Sequence, residues 1–125
     1  MIVIVGGTAQ GKLARAKALR GASARVLDGA DATPEALARA DILDRFHLLV
    51  RRAAENGEGG EALARRILRI NPDLIVVSDE VGLGVVPMEA FERRWREETG
   101  RALCVLAAAA EVVERMVAGI PQRIK

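Results

Sequence analysis

Residues Met1–Leu13 read MIVIVGGTAQGKL, and they give the clearest indication of the fold class. Its first five residues, Met1 to Val5, form a continuous apolar run, which is typical of a strand buried on both faces of a parallel sheet. Gly6 and Gly7 end the run, and strong helix formers follow from Gly11 to about Arg20. A strand, a glycine-rich turn and a helix in this order form the first unit of an α/β domain.

The turn matches the phosphate-binding loop pattern G-x-x-x-x-G-K, here Gly6-Gly7-Thr8-Ala9-Gln10-Gly11-Lys12. Glycines let the backbone fold so that several N–H groups point at phosphate oxygens, and the next helix presents its positive end to the same anion. The Lys12 ammonium then neutralises the terminal phosphates during transfer. Because the pattern lies between a strand and a helix, we expect residues 6–13 to bind a nucleotide, rather than to form an ordinary corner.

The eighth position of the pattern departs from it. A Ser or Thr hydroxyl normally ligates Mg²⁺ there, whereas Leu13 has no ligating atom. Either Thr8 or a carboxylate holds the ion, or metal-assisted transfer is impaired. Asp79 and Glu80 follow an apolar strand predicted over 74–78, and ligands bind outside the carboxyl ends of parallel strands. We therefore expect Asp79 and Glu80 to hold Mg²⁺, and Glu80 to act in catalysis.

Other polar residues have both a functional and a structural interpretation. Asp28 ends the strand predicted over Ala24–Asp28 and would face the loop, although such acids also cap helices or lie in solvated turns. His47 is the only histidine, and a histidine ring can carry a phosphoryl or nucleotidyl group. It adjoins an apolar helical stripe, where a structural histidine is the commoner outcome. His47 is therefore a candidate catalytic residue beside Lys12 and Glu80.

The remaining elements follow from periodicity and capping. Thr33 and Pro34 predict a helix start, and one helical face is predicted over 42–53, with an interruption at 56–60. Further helices are expected at 61–70 and about 88–110, the second weakened at Gly100, and a last strand at 112–118. The sequence thus predicts one domain over residues 1–125, a three-layer α/β fold similar to P-loop NTPases. Its sheet should be small and mostly parallel, with about four strands.

The composition restricts the classes of function. The chain has 125 residues, of which 50% are hydrophobic and 29% charged, so it can bury a core and is not disordered. A net charge of +2 and 2% aromatic residues argue against a nucleic-acid partner. The single cysteine, Cys104, is expected in the core and indicates a reducing compartment. Since we see neither a membrane-length apolar run nor a signal-peptide pattern, we expect a cytoplasmic protein without a membrane span.

A longer segment carries a family resemblance. Residues 80–87, EVGLGVVP, resemble the E-V-G-x-G-[IV]-V-P segment of adenosylcobinamide kinase / adenosylcobinamide-phosphate guanylyltransferase. The similarity continues through Phe91, Arg93-Arg94, Gly100-Arg101, Leu106 to Ala110, Ala118 to Pro121 and Lys125. It implies a phosphate-loop domain that phosphorylates the side-chain hydroxyl of adenosylcobinamide and then transfers guanylate from GTP.

That resemblance also implies ligands and partners. Gly6, Gly7, Gly11 and Lys12 would bind the phosphates of ATP or GTP, and Glu80 would lie beside the nucleotide. The implied partners are a nucleoside triphosphate and a corrinoid of the cobinamide class, and the implied assembly is a homo-oligomer. The expected cofactor, Mg²⁺, follows from the phosphate-loop pattern and not from the resemblance.

The chain also departs from the family pattern. Family members are longer, and their middle part supplies a guanylate-accepting histidine followed by basic residues. His47 with Arg51 and Arg52 is the candidate remnant of that motif, or else this segment matches the family's central strand and next helix.

We therefore expect a shortened, divergent member that retains kinase activity, guanylyltransferase activity, both or neither. The alternatives are a nucleotide- or corrinoid-binding module without catalysis, and a P-loop kinase for another small alcohol.

Overall fold

The computed structural model describes residues 1–82 and 89–125, and strands alternate with helices along most of the chain. Within these residues the strands are β1 Ile2–Gly6, β2 Val26–Asp28, β3 Ile42–Asp44, β4 Ile75–Asp79, β5 Val112–Val117 and β6 Ile120–Arg123. The helices are α1 Lys12–Arg20, α2 Pro34–Arg39, α3 Phe46–Glu55, α4 Gly60–Ile70 and α5 Ala90–Ala109.

The strands form one mixed sheet in the order β2-β3-β4-β1-β5-β6. The first five strands in this order are parallel, and β6 runs antiparallel to β5. β1 lies between β4 and β5, so that Gly6 is level with Asp79 on one side and Met116 on the other. This register brings the end of β1, where the glycine-rich turn begins, next to the acidic end of β4.

Helices cover both faces of the sheet, which confirms the predicted three-layer α/β fold. On one face, Ala16 of α1 packs on Ile4, Ile42 and Ile75. On the other face, α3, α4 and α5 pack on the alternate residues of the same strands. The fully buried side chains of that second layer include Phe46, Leu63, Ile67 and Leu106. Successive strand residues point to opposite faces, so each buried strand supplies both cores.

The expectation of about four strands was wrong, because the described residues form six. β3 was missed because Ile42 and Leu43 continue the apolar spacing of the helix that follows. Because the three-residue strand is joined to the helix through Arg45 alone, the apolar residues of both elements have the spacing of one longer helix. β6 was missed because Pro121 and Gln122 do not suit a central strand. Both lie on an edge strand, where a proline is tolerated.

Local predictions at the helices had mixed outcomes. Thr33 caps α2 as expected, since its Oγ1 accepts a hydrogen bond from the Ala36 N–H at 3.2 Å, and Pro34 takes the first helical position. α5 runs unbroken through Gly100. Cys104 was wrongly expected in the core and is exposed. It lies two residues from both buried residues Ala102 and Leu106, which places it on the opposite side of α5.

Candidate nucleotide-binding site

The turn between β1 and α1 has the backbone that a phosphate loop requires. A Cβ on Gly6 would lie 2.7 Å from the carbonyl oxygen of Met116, so only glycine fits at the centre of the sheet. Gly11 precedes α1 with a left-handed φ of 88°. Gly11 is the N-cap residue of α1 and has no side chain to cap the first turn, which leaves the N–H groups of this turn available to phosphate oxygens.

The turn between β5 and β6 supports this loop from behind. The Gln10 side-chain oxygen accepts a hydrogen bond from the Ala118 N–H at 2.6 Å, and the Gln10 carbonyl accepts one from Gly119 at 3.0 Å. Both turn residues have positive φ, 49° at Ala118 and 77° at Gly119, which is typical of a tight hairpin. Gln10 therefore fixes the loop to the sheet.

Lys12 is buried, with 7% of its surface exposed, and its ammonium has two protein partners in the described residues. Its Nζ lies 2.7 Å from Asp79 Oδ1 and donates to the Gly7 carbonyl at 2.5 Å. Thr8 donates to the other carboxylate oxygen of Asp79 at 3.1 Å. Burial alone would raise the pKa of Asp79, but the hydrogen bond from Lys12 and the neighbouring positive charge hold this pKa below 3.8. Asp79 thus acts as the counter-ion of Lys12.

His47 lies in the first turn of α3 and contacts the same carboxylate residue. Its Nδ1 accepts a hydrogen bond from the Asp79 N–H at 3.1 Å, and its Nε2 is 3.6 Å from Asp79 Oδ2. Burial lowers the pKa of His47, an effect that the negative charge of Asp79 opposes. A neutral ring that accepts at Nδ1 carries its proton on Nε2, which here faces Asp79. Neither ring nitrogen therefore has a free lone pair.

A cavity of about 290 Å³ opens beside the loop. Residues 8–14 line it together with Asp44, Arg45 and Asp79. Asp44 and Arg45 were missed as site residues because β3 was not predicted. The available signal was an apolar pair followed by an acid, Ile42-Leu43-Asp44, which repeats the way β4 ends. Burial raises the pKa of Asp44 above its ordinary value of 3.8.

The other predicted acids lie away from this cavity. Glu80 forms a bidentate pair with Arg115, at 2.8 and 3.1 Å, and lines a different cavity beside α5. Only its backbone supports the loop, through a hydrogen bond from the Glu80 N–H to the Gly6 carbonyl at 3.0 Å. Asp28 pairs with Arg45 instead of facing Lys12. The rest of the segment that carried the resemblance, 83–87, lies outside the described residues.

The residues around the cavity fit a magnesium ion held partly by substrate. Within 1–82 and 89–125, no three His, Cys, Asp or Glu side chains form a cluster that could hold an ion alone. Mg²⁺ is usually bound through one or two carboxylates, with waters and substrate phosphates completing the shell. Asp44 and Asp79 both line the cavity and fit this role, whereas Leu13 offers no oxygen and Glu80 is turned away.

Comparison with known proteins decides the family. Residues 40–124, more than half of the chain, match the family model described as CobU, cobinamide kinase / cobinamide phosphate guanyltransferase. The chain belongs to the CobU family. This match confirms the resemblance inferred from residues 80–87, and it includes Asp44, His47 and Asp79. The candidate phosphate loop, residues 6–13, precedes the matched residues, so its assignment depends on its own motif and geometry.

Three relatives show the extent of the similarity to this CobU-family chain. It is 38% identical over 65 residues to the bifunctional adenosylcobalamin biosynthesis protein CobP of Pseudomonas aeruginosa. These aligned residues cover 52% of this chain and 38% of the relative. Against CobU of Escherichia coli the identity is 37% over 65 residues, covering 52% and 36%. Against CobU of Salmonella typhimurium it is 42% over 52 residues, covering 42% and 29%. The matched part therefore spans well under half of each relative.

No helix in the described part of the chain is long and apolar enough to cross a membrane.

Proposed function

We propose that this chain binds a nucleoside triphosphate at the loop over residues 6–13 and transfers its terminal phosphoryl group to the hydroxyl of a cobinamide-type corrinoid. The contact between Lys12 and Asp79 carries the proposal. A buried ammonium at 2.7 Å from a carboxylate, beside uncapped helix N–H groups, is arranged for an anion. A bound phosphate would replace Asp79 as the partner of Lys12 and free the Asp79 carboxylate.

The side chains around the cavity divide the work of such a transfer. Lys12 and the loop N–H groups bind the β- and γ-phosphates and stabilise the charge that develops there. Asp79 and Asp44 hold Mg²⁺, which when bound neutralises phosphate charge and aligns the transferred group. Asp44 lines the same cavity and is also placed to accept the proton of the attacking hydroxyl. Glu80, expected to hold metal, supports the loop through its backbone instead.

The geometry favours phosphoryl transfer over guanylyl transfer through a histidine. A histidine that carries a nucleotidyl group attacks phosphorus with an unshared nitrogen lone pair. His47 is the only histidine of the sequence, and its Nδ1 accepts from Asp79 while its Nε2 faces the same residue. We therefore assign His47 to the positioning of Asp79. Guanylyl transfer would need direct attack by the corrinoid phosphate on GTP.

A second candidate is a binding module that retains the nucleotide site without catalysis. Leu13 is the observation in its favour, because it removes the hydroxyl that normally ligates Mg²⁺. A kinase for another small alcohol is the third candidate, which substrate screening would identify. For all three, the proposed setting is one domain over residues 1–125 that works in the cytoplasm and assembles with copies of itself.

Two measurements separate the cobinamide kinase from the binding module. Calorimetry with ATP and GTP, with and without Mg²⁺, measures binding, and incubation with cobinamide measures turnover. We expect Lys12→Ala to lose at least about a hundredfold in binding or turnover, since it removes the ammonium at the phosphates. Lys17→Ala is the matched control, because Lys17 is exposed on the same helix. Full activity of the Lys12 variant refutes the mechanism, and nucleotide binding without turnover favours the module.

A further inference from the structure

Arg45 places a second cation at the nucleotide site. It follows β3 directly, precedes α3, and lines the same cavity as Lys12 and Asp79. Half of its side chain is exposed, so its guanidinium lies at the open side of the cavity rather than in the core. A guanidinium has five donors and binds phosphate oxygens in pairs, which suits the charge of a terminal phosphate.

The backbone of Arg45 is held in an uncommon conformation by its neighbours. Its φ of 53° and ψ of 47° lie in the left-handed region, which residues other than glycine seldom adopt. The Gly29 N–H donates to the Asp44 carbonyl at 2.7 Å, and a Cβ on Gly29 would collide with the Arg45 carbonyl. The Leu48 N–H donates to that Arg45 carbonyl at 2.9 Å. These contacts determine where the Arg45 side chain leaves the sheet.

Asp28 holds the guanidinium in the described structure. Arg45 Nε lies 3.2 and 3.1 Å from the two carboxylate oxygens of Asp28, and Arg45 Nη2 contacts the second of them. Asp28 does not line the cavity, so the pair draws Arg45 toward the neighbouring strand. A partly exposed ion pair is weak, and a phosphate with two negative charges competes with a single carboxylate.

We propose that Arg45 binds the terminal phosphate of the nucleoside triphosphate, and that Asp28 is its resting partner until the nucleotide binds. This inference rests on the proposed nucleotide-binding function and adds a residue to it. Arg45 would exchange Asp28 for phosphate, as Lys12 would exchange Asp79. A diphosphate lacks the group that Arg45 recognises, so Arg45 would favour triphosphate over diphosphate.

The test compares calorimetric affinities for GTP and GDP, and for ATP and ADP, among single variants. Arg45→Gln should weaken triphosphate binding about tenfold, as expected for the loss of a charge-assisted hydrogen bond, and should change diphosphate binding little. Asp28→Asn should strengthen triphosphate binding about two- to fivefold, since it removes the competing charge. The asparagine keeps an oxygen to accept from the Ala30 N–H, which Asp28 Oδ1 does at 2.9 Å.

Arg25→Gln is the matched control. Arg25 pairs with Asp41 at 3.2 Å, also between β2 and β3 but at the amino-terminal ends of these strands. It should leave both affinities unchanged. Arg45→Lys retains a cation and should give an intermediate loss, and thermal unfolding of each variant verifies that it folds.

Arg45→Gln is expected to weaken triphosphate binding and Asp28→Asn to strengthen it. A purely structural ion pair would not give these opposite changes, because the loss of either partner would then weaken binding. Triphosphate binding that Arg45→Gln leaves intact, or that Asp28→Asn weakens equally, overturns the role of Arg45 alone. A wild-type chain that binds no nucleotide overturns the proposed function and this inference together.

Discussion

Gly6→Ala is the substitution that most sharply tests how the loop is built into the sheet. The new Cβ would lie 2.7 Å from the Met116 carbonyl oxygen and 3.4 Å from Met116 Cβ, at the centre of the sheet. Both atoms belong to Met116 of β5, whose backbone is hydrogen-bonded to β1 and β6. The new Cβ can therefore be accommodated only if β1 and β5 move apart. Overpacking of this kind costs roughly 2–3 kcal/mol in free energy of unfolding.

The assay is thermal and urea denaturation followed by circular dichroism, without nucleotide. For a domain of this size, the expected loss corresponds to a fall in Tm of about 8–12 °C. Gly7→Ala is the matched control on the adjacent residue. Gly7 does not have a positive φ, and its Cβ would meet only Gln10 Cγ, at 3.7 Å. Gly7→Ala should be neutral or up to about 1 kcal/mol stabilising, because it restricts the unfolded chain.

The contrast between the two variants carries the test. If Gly6→Ala unfolds at the wild-type temperature, β5 does not close against the loop as described. If both variants are destabilised equally, the effect belongs to glycine in general and not to the contact with Met116.

Three further predictions concern the metal, the pH dependence and the core. Leu13→Ser should lower the Mg²⁺ concentration needed for turnover, at a cost of about 1–2 kcal/mol in stability because Leu13 is half-buried; an unchanged Mg²⁺ titration would contradict the role assigned to this position. Glu114 is buried and accepts two hydrogen bonds from Arg15, at 2.9 and 2.8 Å, which hold its pKa below 4.5. Because the pKa of Glu114 is lower in the folded than in the unfolded chain, its ionised form stabilises the fold at pH values above the unfolded-state pKa, and this stabilisation is lost as the pH falls through the folded-state pKa. Glu114→Gln should therefore lower the free energy of unfolding by about 1–2 kcal/mol at pH 7 and by less near pH 3, measured from urea midpoints. An equal loss at both pH values would refute this. Phe46→Ala should cost about 3–5 kcal/mol by chemical denaturation because Phe46 is fully buried, and a loss below about 1 kcal/mol would be inconsistent with its place in the core.

The sequence predicted the part of the site that is contiguous along the chain. β1, the loop and α1 follow one another along the chain. The apolar run, the glycines and the lysine can each be recognised from the residues next to them in the sequence. The family resemblance over 80–87 was equally local. These features could be inferred because no distant contact is needed to recognise them.

Residues that depend on sheet order were harder to place. Asp28 and Asp79 both end parallel strands, yet β2 is separated from β1 by two strands, so only Asp79 reaches Lys12. The choice between Asp79 and Glu80 depends on orientation. Adjacent residues of an extended chain point to opposite sides, and here Asp79 meets Lys12 while Glu80 meets Arg115. The periodicity of neighbouring residues indicates neither the order of the strands in the sheet nor the ion-pair partner of a side chain.

Asp44 and Arg45 escaped prediction for a different reason. A three-residue strand contributes too few positions to show a period of two, and its apolar pair continued the helical pattern of α3. The left-handed Arg45 separates strand from helix, and it carries no sequence signal of the kind that a glycine gives.

Transfer of label from GTP or ATP to adenosylcobinamide is the direct test of the proposed phosphoryl transfer. The chain is incubated with Mg²⁺, adenosylcobinamide and nucleotide labelled at either the γ- or the α-phosphate, and the corrinoid and the protein are then separated. We predict that γ-label appears in the corrinoid with the wild-type chain and is lost with Lys12→Ala, and that no α-label is trapped on the protein. With the wild-type chain, γ-label that stays in the nucleotide, or α-label held covalently at His47, would contradict the proposed phosphoryl transfer.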